Sequence, residues 1–433
     1  MPNFNKILRG DRVIWIIALL LGIISLLAVY SAGSSLAVRN FNGDTGKMLM
    51  KHASTLFLGY VFMYIAYRIN YLRFAPASKI LIWICAGALL YTLFFGRNLN
   101  NASRSISLMG FSFQPSEWAK IFLITYIARE LVLLKEDINN FKLLLKKIIL
   151  PTMTIVGLIF TENLSTALLL LASCVALLLV GRVQFKHLVS LGLIGIGMLT
   201  AYILFDQAST TIINKKREKA YLEEVAQTGD NTLEFKKRMS RVETWKQRVL
   251  TMTESQEEET DPFDDHHYQQ TYAKIAVASG SVFGKGAGKS EQRNFLPHPY
   301  SDFIFAIIVE EYGIVGASIV ILIYIILLTR VMRIVTKKPI SFGAYMSFGL
   351  CFMLIMQAMI NMGVSIGLLP VTGQTLPLVS MGGSSMMATG FLLGMILSVT
   401  RSIEEEENAQ IEEIENSTIA NTDTNERSVE SCD

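Results

Sequence analysis

The sequence has few charged residues and few cysteines for its 433 residues. Asp, Glu, Lys and Arg make up only 17% of it, whereas 51% is hydrophobic and the mean hydropathy is +0.41. This composition excludes an ordinary soluble domain and indicates a polytopic membrane protein. Three of the four cysteines lie inside apolar runs and the fourth lies near the C-terminus, which excludes an extracellular disulfide framework.

A cleavable signal peptide pattern is also missing. Lys6, Arg9 and Arg12 precede the first apolar run, residues 13–30, but no small-x-small cleavage site followed by a soluble domain comes after it. We therefore expect this run to remain in the protein as a membrane helix.

Apolar runs of about 17 to 25 residues, the length that spans a bilayer as a helix, recur along the chain. They predict an all-α polytopic membrane protein with about ten transmembrane helices, seven within residues 13–205 and three within residues 302–400. The runs start near Val13, Met48, Ile80, Ser116, Leu144, Leu164, Leu188, Phe303, Phe342 and Ser385.

The distribution of basic residues predicts the orientation. If residues 1–12 are cytoplasmic, 18 Lys and Arg residues fall in the inside loops and 4 in the short outside segments. This asymmetry places both termini in the cytoplasm. Residues 206–301 then form one large extracytoplasmic loop, because long loops cross the membrane largely regardless of charge. Residues 401–433 are acidic, polar and poor in aromatics, which predicts a disordered cytoplasmic tail.

Asp302 stands where this long polar segment ends and an apolar run begins, within LPHPYSDFIFAIIVEE (residues 296–311). This position places a carboxylate at the start of a predicted membrane helix. Helix capping is an alternative explanation, because Asp near a first turn accepts backbone N–H bonds and suits the positive end of the helix dipole.

Other ionisable residues fall inside the predicted spans, where burying a charge is costly and such residues tend to face a cavity. Glu117 and Lys120 are three residues apart and can neutralise each other as an i, i+3 pair. Glu310 and Glu311 lie two helical turns beyond Asp302, and together the three acids predict a polar cavity that opens outward. Structural pairing of each glutamate with a basic residue of a neighbouring helix is the alternative.

Two stretches of the long loop invite ligand interpretations. GKGAGKS, residues 284–290, fails the P-loop spacing because Phe283 occupies the first glycine position, so it is either a backbone nest for a phosphate or sugar or a flexible turn. Residues 264–267 are two Asp and two His, but adjacent positions rarely converge on a metal ion. They favour a solvated loop, and we assign no metal site.

Four blocks carry a family resemblance: FSFQPSEWAK (111–120), YQQTYAKIAVASG (268–280), GKGAGKSEQRNFLPHPYSDFIFAIIVEEYGIVG (284–316) and NMGVSIGLLPVTGQTLPLVSMGGSS (361–385). Through them the chain resembles the SEDS family of bacterial membrane proteins, which act in shape, elongation, division and sporulation. The GxGxGxSxQ spacing from Gly284 to Gln292 is more similar to the division members than to the elongation members.

The resemblance implies a ten-helix peptidoglycan glycosyltransferase that polymerises lipid II at the outer face of the bacterial cytoplasmic (inner) membrane, at the division septum. It also implies a class B penicillin-binding protein and other divisome membrane proteins as partners, and no nucleic acid. An elongation counterpart and a lipid II flippase remain the alternatives.

The family's essential acid, in its DFIFA motif, corresponds here to Asp302, which we expect to act as a general base. Arg104, Lys120 or a divalent cation, Mg or Mn, would stabilise the departing diphosphate, and no other cofactor is assigned. Where the family commonly reads PDxGT, this chain has Glu162 and Asn163, which leaves the role of that acid open.

The expected substrate-binding residues fall in or near the same blocks. They are Arg104, Gln114, Ser116, Glu117, Lys120, Gln269, Ser290, Gln292, Pro297, Thr372, Gly373, Pro377, Ser380, Gly382, Gly383 and Ser384. Glu310, Glu311 and Asn361 are expected to be structural or to line the cavity.

Overall fold

The structure is a computed structural model that describes residues 9–33, 36, 43–95, 97–99, 102–108, 111–228, 265–297, 299–338 and 340–430. Within these ranges it consists of helices, three short strands and connecting segments. The helices are α1 (Arg12–Ala32), α2 (Thr45–Arg68), α3 (Phe74–Phe95), α4 (Pro115–Leu133), α5 (Phe141–Glu162, with a π-helical stretch at Leu145–Ile149), α6 (Leu164–Val180), α7 (Phe185–Thr228), α8 (Asp265–Ser279), α9 (Ile304–Lys337), α10 (Phe342–Ser365) and α11 (Gly383–Glu430). The strands are β1 (Arg97–Leu99), β2 (Ala102–Leu108) and β3 (Phe111–Phe113).

Each of the ten predicted apolar runs coincides with one of these helices, α1 to α7 or α9 to α11. Eight helices are long and apolar enough to cross a membrane. Of the other two, α6 has only 17 residues and α4 contains four charged residues. The predicted all-α polytopic membrane fold is confirmed, whereas the count of ten spans and the orientation stay predictions.

Three features differ from the sequence-based expectation. Strands β1, β2 and β3 form a small antiparallel sheet between α3 and α4 that the apolar pattern does not predict. Helix α7 continues to Thr228, beyond the predicted membrane boundary at residue 205. Helix α11 continues to Glu430, where a disordered tail was expected. The Glu-rich residues 404–415 have good helix propensity and extend a helix already nucleated in the bundle, whereas the composition of residues 416–430 does not account for a helix there.

Close packing of α2 and α10 against their neighbours fixes the centre of the bundle. A Cβ atom on Gly390 of α11 would lie 2.1 Å from the carbonyl oxygen of Gly59, so only glycine permits this approach of α11 to α2. Helix α10 is buried along nearly its whole length, as expected for a helix that is apolar all round. Its few polar side chains, Gln357 and Asn361 among them, therefore need partners inside the protein.

Candidate active site

A cavity of about 390 Å³ lies where α4, α6 and α11 begin, and Asp302 is part of its wall. We call it the Asp302 cavity. The other walls are the starts of α4 and α6 and the loop that leads into α11. The lining residues are Gln114, Glu117, Asn163, Thr166, Tyr300, Ser301, Asp302, Gly373, Gln374, Thr375, Met381, Gly382, Gly383, Ser384 and Ser385.

Asp302 is half-buried and its backbone is held in place. The side-chain amide of Asn361 donates to the carbonyl oxygen of Asp302 (2.9 Å), and the hydroxyl of Ser301 donates to Oδ1 of Asp302 (3.0 Å). Helix α9 begins at Ile304 with Phe303 in the N-cap position, so Asp302 does not occupy the capping position. The geometry favours the cavity-facing acid over the capping alternative.

The loop that leads into α11 is anchored by two side chains of α10. Nδ2 of Asn361 donates to the carbonyl oxygen of Gln374 (2.7 Å), and Nε2 of Gln357 donates to that of Thr375 (3.0 Å). The same Asn361 amide also holds the carbonyl of Asp302. One buried residue of α10 therefore fixes two walls of the cavity relative to each other.

Two further hydrogen bonds join this loop directly to the segment before α9. The hydroxyl of Ser380 donates to the carbonyl oxygen of Ser301 (2.6 Å), and the backbone N–H of Met381 donates to that of Tyr300 (2.9 Å). Both bonds end at the two residues that precede Asp302, so the backbone on the N-terminal side of the acid is constrained.

Lys120 is almost fully buried, with 1% of its surface exposed, and lies behind the cavity wall. Its Nζ donates to Oε1 of Glu117 (2.9 Å) and to Oε1 of Gln357 (3.2 Å). The predicted i, i+3 pair of Glu117 and Lys120 is confirmed. Glu117 itself lines the Asp302 cavity, so the pair places a cation one side chain away from it.

Seven of the predicted site residues line the Asp302 cavity, namely Gln114, Glu117, Gly373, Gly382, Gly383, Ser384 and Asp302. Others of the predicted set do not line it: Ser116, Lys120, Gln269, Ser290, Gln292, Pro297, Thr372, Pro377 and Ser380. Arg104 belongs to strand β2, and its side chain lies outside the part of the chain that the structure describes.

Sequence reasoning missed several lining residues, including Thr166 and Gln374, although each lies near a motif that it singled out. Nε2 of Gln374 donates to Oγ1 of Thr166 (2.6 Å), which joins the loop to α6. Asn163 also lines the cavity and caps α6, since its Oδ1 accepts from the backbone N–H groups of Ser165 (3.1 Å) and Thr166 (3.3 Å). Asn caps helices as well as Asp does, so Asn163 can cap α6 at the position where the family commonly has Asp.

Glu310 and Glu311 are fully buried and do not line the Asp302 cavity, so the expectation of one polar cavity containing all three acids is wrong. Oε1 of Glu310 pairs with Nζ of Lys285 (3.0 Å), and the other carboxylate oxygen accepts from the hydroxyl of Ser290. Oε1 of Glu311 accepts from the hydroxyl of Ser31 on α1. The hydrogen bond to Glu310 raises the pKa of Lys285 above its ordinary value.

The glycine-rich loop lies on a break in α9 at Gly313, which has φ +66° and ψ −166°. The backbone N–H groups of Lys285 and Gly286 donate to the carbonyl oxygens of Glu310 and Glu311, both at 2.9 Å. These donors are therefore not available to a phosphate, which removes the nest interpretation at these two positions. Ser290 and Gln292 belong to the same loop and lie away from the Asp302 cavity.

No group of three or more His, Cys, Asp or Glu side chains converges as a metal site among the described residues. Asp264 and the side chains of residues 265–267 fall outside them. The carboxylates that line the Asp302 cavity are those of Asp302 and Glu117.

A family model described as "Cell cycle protein", covering FtsW, RodA and SpoVE, matches residues 11–405. The chain belongs to this family. The resemblance to SEDS proteins drawn from the four sequence blocks is confirmed.

Curated relatives match over nearly their whole length. Stage V sporulation protein E of Bacillus subtilis (strain 168) is 31% identical over 399 residues, which are 90% of this chain and 97% of that protein. The probable peptidoglycan glycosyltransferase FtsW of Thioalkalivibrio sulfidiphilus is 32% identical over 395 residues, 88% of this chain and 87% of that protein. Its counterpart in Geobacter sulfurreducens is 28% identical over 403 residues.

Two solved structures share the fold. One, reported as "Structural coordination of polymerization and crosslinking by a peptidoglycan synthase complex", superposes with a TM-score of 0.62 at 22% identity and covers 91% of this chain and 98% of that one. The rod shape determining protein RodA of Thermus thermophilus superposes with a TM-score of 0.58 at 22% identity, covering 92% and 98%. At this identity the likeness shows the fold alone.

Proposed function

We propose that this protein is a peptidoglycan glycosyltransferase that polymerises lipid II into glycan strands, with Asp302 as the catalytic base. The observation that carries the proposal is the placement of Asp302, a carboxylate with a fixed backbone in the wall of a polar cavity at one end of a membrane helix bundle. Membership of the FtsW, RodA and SpoVE family and relatives named peptidoglycan glycosyltransferase support the reaction class.

In the proposed reaction the hydroxyl of one sugar attacks the anomeric carbon of another, and the bond from that carbon to the lipid-linked diphosphate breaks. The Asp302 carboxylate accepts the hydroxyl proton as the glycosidic bond forms, and the diphosphate leaves with the electron pair. A positioned general base contributes typically about 10²- to 10⁴-fold to the rate. The bonds from Ser301 and Asn361 keep the acid oriented for this transfer.

The leaving diphosphate carries negative charge, which fixed cations stabilise best in a cavity that excludes water. We assign this role to Arg104 and Lys120. The Lys120 ammonium is held one side chain from the cavity by Glu117 and Gln357. A bound Mg²⁺ or Mn²⁺ would add charge neutralisation, and Glu117 and Asp302 are the cavity carboxylates that could hold it together with phosphate oxygens.

The proposal includes a partner and a location. A class B penicillin-binding protein would cross-link the strands that this chain makes, with other divisome membrane proteins at the division septum. The likeness to a chain from a solved peptidoglycan synthase complex supports a partner enzyme. Relatives named FtsW support the septal assignment over the elongation one.

The test is polymerisation of purified lipid II by the full-length protein in detergent, alone and with its penicillin-binding partner. We expect glycan strands from the native chain and a loss of at least about 100-fold in Asp302→Asn, because the general base is removed. Glu291→Gln is the matched control: it removes one negative charge from a residue that is 72% exposed and outside the cavity.

Equal polymer from native protein and Asp302→Asn, with folding and partner binding intact, would exclude Asp302 as the base. Absence of polymer from a folded native complex that still moves labelled lipid II across liposomes would favour the flippase alternative instead.

A further inference from the structure

A second cavity, of about 470 Å³, lies at the opposite ends of the membrane helices. It is formed by the start of α1, the last turns of α9 and the part of α11 that follows its apolar segment. We call it the α1/α9 pocket. Its lining residues are Gly10, Asp11, Arg12, Val13, Arg330, Arg333, Ile334, Lys337, Thr400, Ile403, Glu404 and Glu407. Arg333 lies 20 positions beyond the break in α9 at Gly313, roughly 30 Å away along the helix. The α1/α9 pocket and the Asp302 cavity therefore belong to opposite faces of the membrane.

The acidic residues of the α1/α9 pocket all have partners within the protein. Oδ1 of Asp11 accepts from the backbone N–H of Val13 (2.9 Å), and its other oxygen lies 3.8 Å from Arg330. Glu404 accepts from the backbone N–H of Gly10. Glu407 forms an ion pair with Lys337 at 2.7 Å.

Two arginines that line the pocket have no carboxylate partner among the described residues. Arg12 and Arg333 are both exposed, and neither makes a side-chain hydrogen bond or an ion pair within the described ranges of the chain. Two guanidinium groups that line one pocket without a carboxylate partner are available to an anion. Their planar donor geometry suits the oxygens of a phosphate in particular.

An apolar face runs from each of these arginines toward the middle of the membrane. On α1, Ile16, Leu19 and Ile23 follow Arg12 at i+4, i+7 and i+11, and they are 56%, 57% and 47% exposed. These spacings place them on the same side of the helix as Arg12.

Helix α9 has a similar apolar face, but its exposed apolar residues precede the arginine in the sequence. Ile325 and Leu322 precede Arg333 by eight and eleven residues and are 50% and 55% exposed. Both guanidinium groups therefore lie at the polar ends of surfaces that hydrocarbon chains would cover. A free phosphate ion uses only the guanidinium groups, whereas a phospholipid uses the guanidinium groups and the apolar faces.

We propose that the α1/α9 pocket binds an anionic phospholipid, with the phosphate between Arg12 and Arg333 and the acyl chains along the exposed faces of α1 and α9. Basic pockets between membrane helices are known to take anionic headgroups at the cytoplasmic surface. The site is separate from the glycosyl transfer proposed above and does not depend on it.

The test uses the full-length protein in detergent, titrated with phosphatidylglycerol and monitored by native mass spectrometry. We expect one retained phosphatidylglycerol per chain, little retention of phosphatidylcholine, and binding about 30-fold weaker in the double variant Arg12→Gln/Arg333→Gln, since each of the two basic residues near a membrane surface contributes about 1 kcal/mol. The control Arg73→Gln/Lys79→Gln removes the same charge from exposed residues outside the pocket and should bind as the native chain does.

Inorganic phosphate and glycerol 3-phosphate, added as competitors at millimolar concentration, separate the two sources of the anion. Displacement of the lipid by either would show a free-phosphate site and overturn the proposal. Equal weakening in the control variant, or equal retention of phosphatidylcholine, would also overturn it, because the binding would then reflect general surface charge or detergent-like adsorption. If the double variant fails to fold, the single variant Arg333→Gln, at an exposed position of α9, tests the same proposal with a smaller expected loss of phosphatidylglycerol binding.

Discussion

Asp302 and Glu310 are eight residues apart, yet their surroundings are opposite. Asp302 is half-buried in the wall of a 390 Å³ cavity, where hydrogen bonds hold its backbone carbonyl, its Oδ1 atom and the backbone of the two residues before it. Glu310 is fully buried, and its carboxylate is occupied by Lys285, Ser290 and the backbone N–H of Glu291.

The difference separates an acid that can exchange a proton with a ligand from one that holds two parts of the chain together. A fully buried carboxylate that is held by several protein donors is inaccessible to a substrate, whereas a carboxylate in a cavity wall can be reached by one and can act as a base. Glu310 fastens the glycine-rich loop to the broken helix α9, and through that helix it supports the segment that ends in Asp302.

The largest effect is expected at Gly313, the residue on which the Glu310 region depends. Its φ and ψ fall in a region open essentially to glycine alone, and a Cβ atom there would lie 2.2 Å from the carbonyl oxygen of Val282. Gly313→Ala should lower the free energy of unfolding by more than about 4 kcal/mol, measured by thermal unfolding in detergent.

Gly288→Ala is the control, because Gly288 also has positive φ but a Cβ atom there meets nothing within 4 Å. It should cost only about 1 kcal/mol. Equal melting temperatures for the two variants would mean that the contact between the loop and α9 is not tight.

Replacement of the two acids should produce opposite phenotypes. Glu310→Ala leaves the Ser290 hydroxyl, the Glu291 backbone N–H and the Lys285 ammonium without their acceptor and should destabilise the protein by about 2 to 3 kcal/mol. Asp302→Ala should abolish polymerisation while changing the melting temperature little, because the residue borders a cavity. Thermal unfolding and lipid II polymerisation are measured on both variants.

The double variant Glu310→Leu/Lys285→Met sharpens this comparison. Replacing both partners of an ion pair by apolar residues is often less costly than removing one, so the pair of changes should recover part of the stability lost in Glu310→Ala, while Ser290 and Glu291 still lose their acceptor. Additive losses instead would show that Lys285 and Glu310 contribute independently.

A substitution at Asn361 tests whether the geometry around Asp302 depends on the hydrogen bonds that hold its backbone. Asn361→Leu keeps the bulk but loses the donors to the carbonyls of Asp302 and Gln374, so the acid and the loop can shift relative to each other. A shift of about 1 Å can cost about 100-fold, and we expect kcat to fall by about tenfold to a hundredfold with KM less affected.

Ser365→Ala is the matched control for Asn361. It deletes a buried hydrogen bond to the carbonyl of Asn361, one turn further along α10, without touching the loop. Equal activity losses in the two variants would point to general loosening of α10 rather than to positioning of Asp302.

The sequence predicts the helices well because apolar length alone determines them in a membrane. The four family blocks likewise predict Asp302 and much of its cavity, and the spacing of Glu117 and Lys120 predicts their ion pair. The sequence does not distinguish the buried Glu310 from the cavity-lining Asp302. Their different surroundings depend on the break in α9 at Gly313 and on the glycine-rich loop, which precedes α9 and packs against it. A glycine inside an apolar run does not reveal that its φ is positive, and Gln374 meets Thr166 only in the folded chain.

The smallest expected effect is a pH dependence confined to the Glu310 region. The pKa of Lys285 is raised by its hydrogen bond to Glu310, so the folded-state pKa lies above the unfolded value of about 10.4. The contribution of the pair to stability is therefore complete below about pH 10 and is lost as the pH rises through the folded-state pKa. Since Lys285 is 26% exposed, the contribution should stay at or below about 1 kcal/mol.

Thermal unfolding between pH 8 and pH 11.5 checks this prediction. The native chain should lose more stability over the last pH unit than Lys285→Met does, since the variant has no amine to deprotonate there. Lys289→Met serves as the control, because Lys289 is an exposed lysine of the same loop that makes no ion pair among the described residues. If Lys285→Met and the native chain lose stability in parallel, the Glu310 carboxylate is held by Ser290 and the backbone of Glu291, and the ammonium adds nothing.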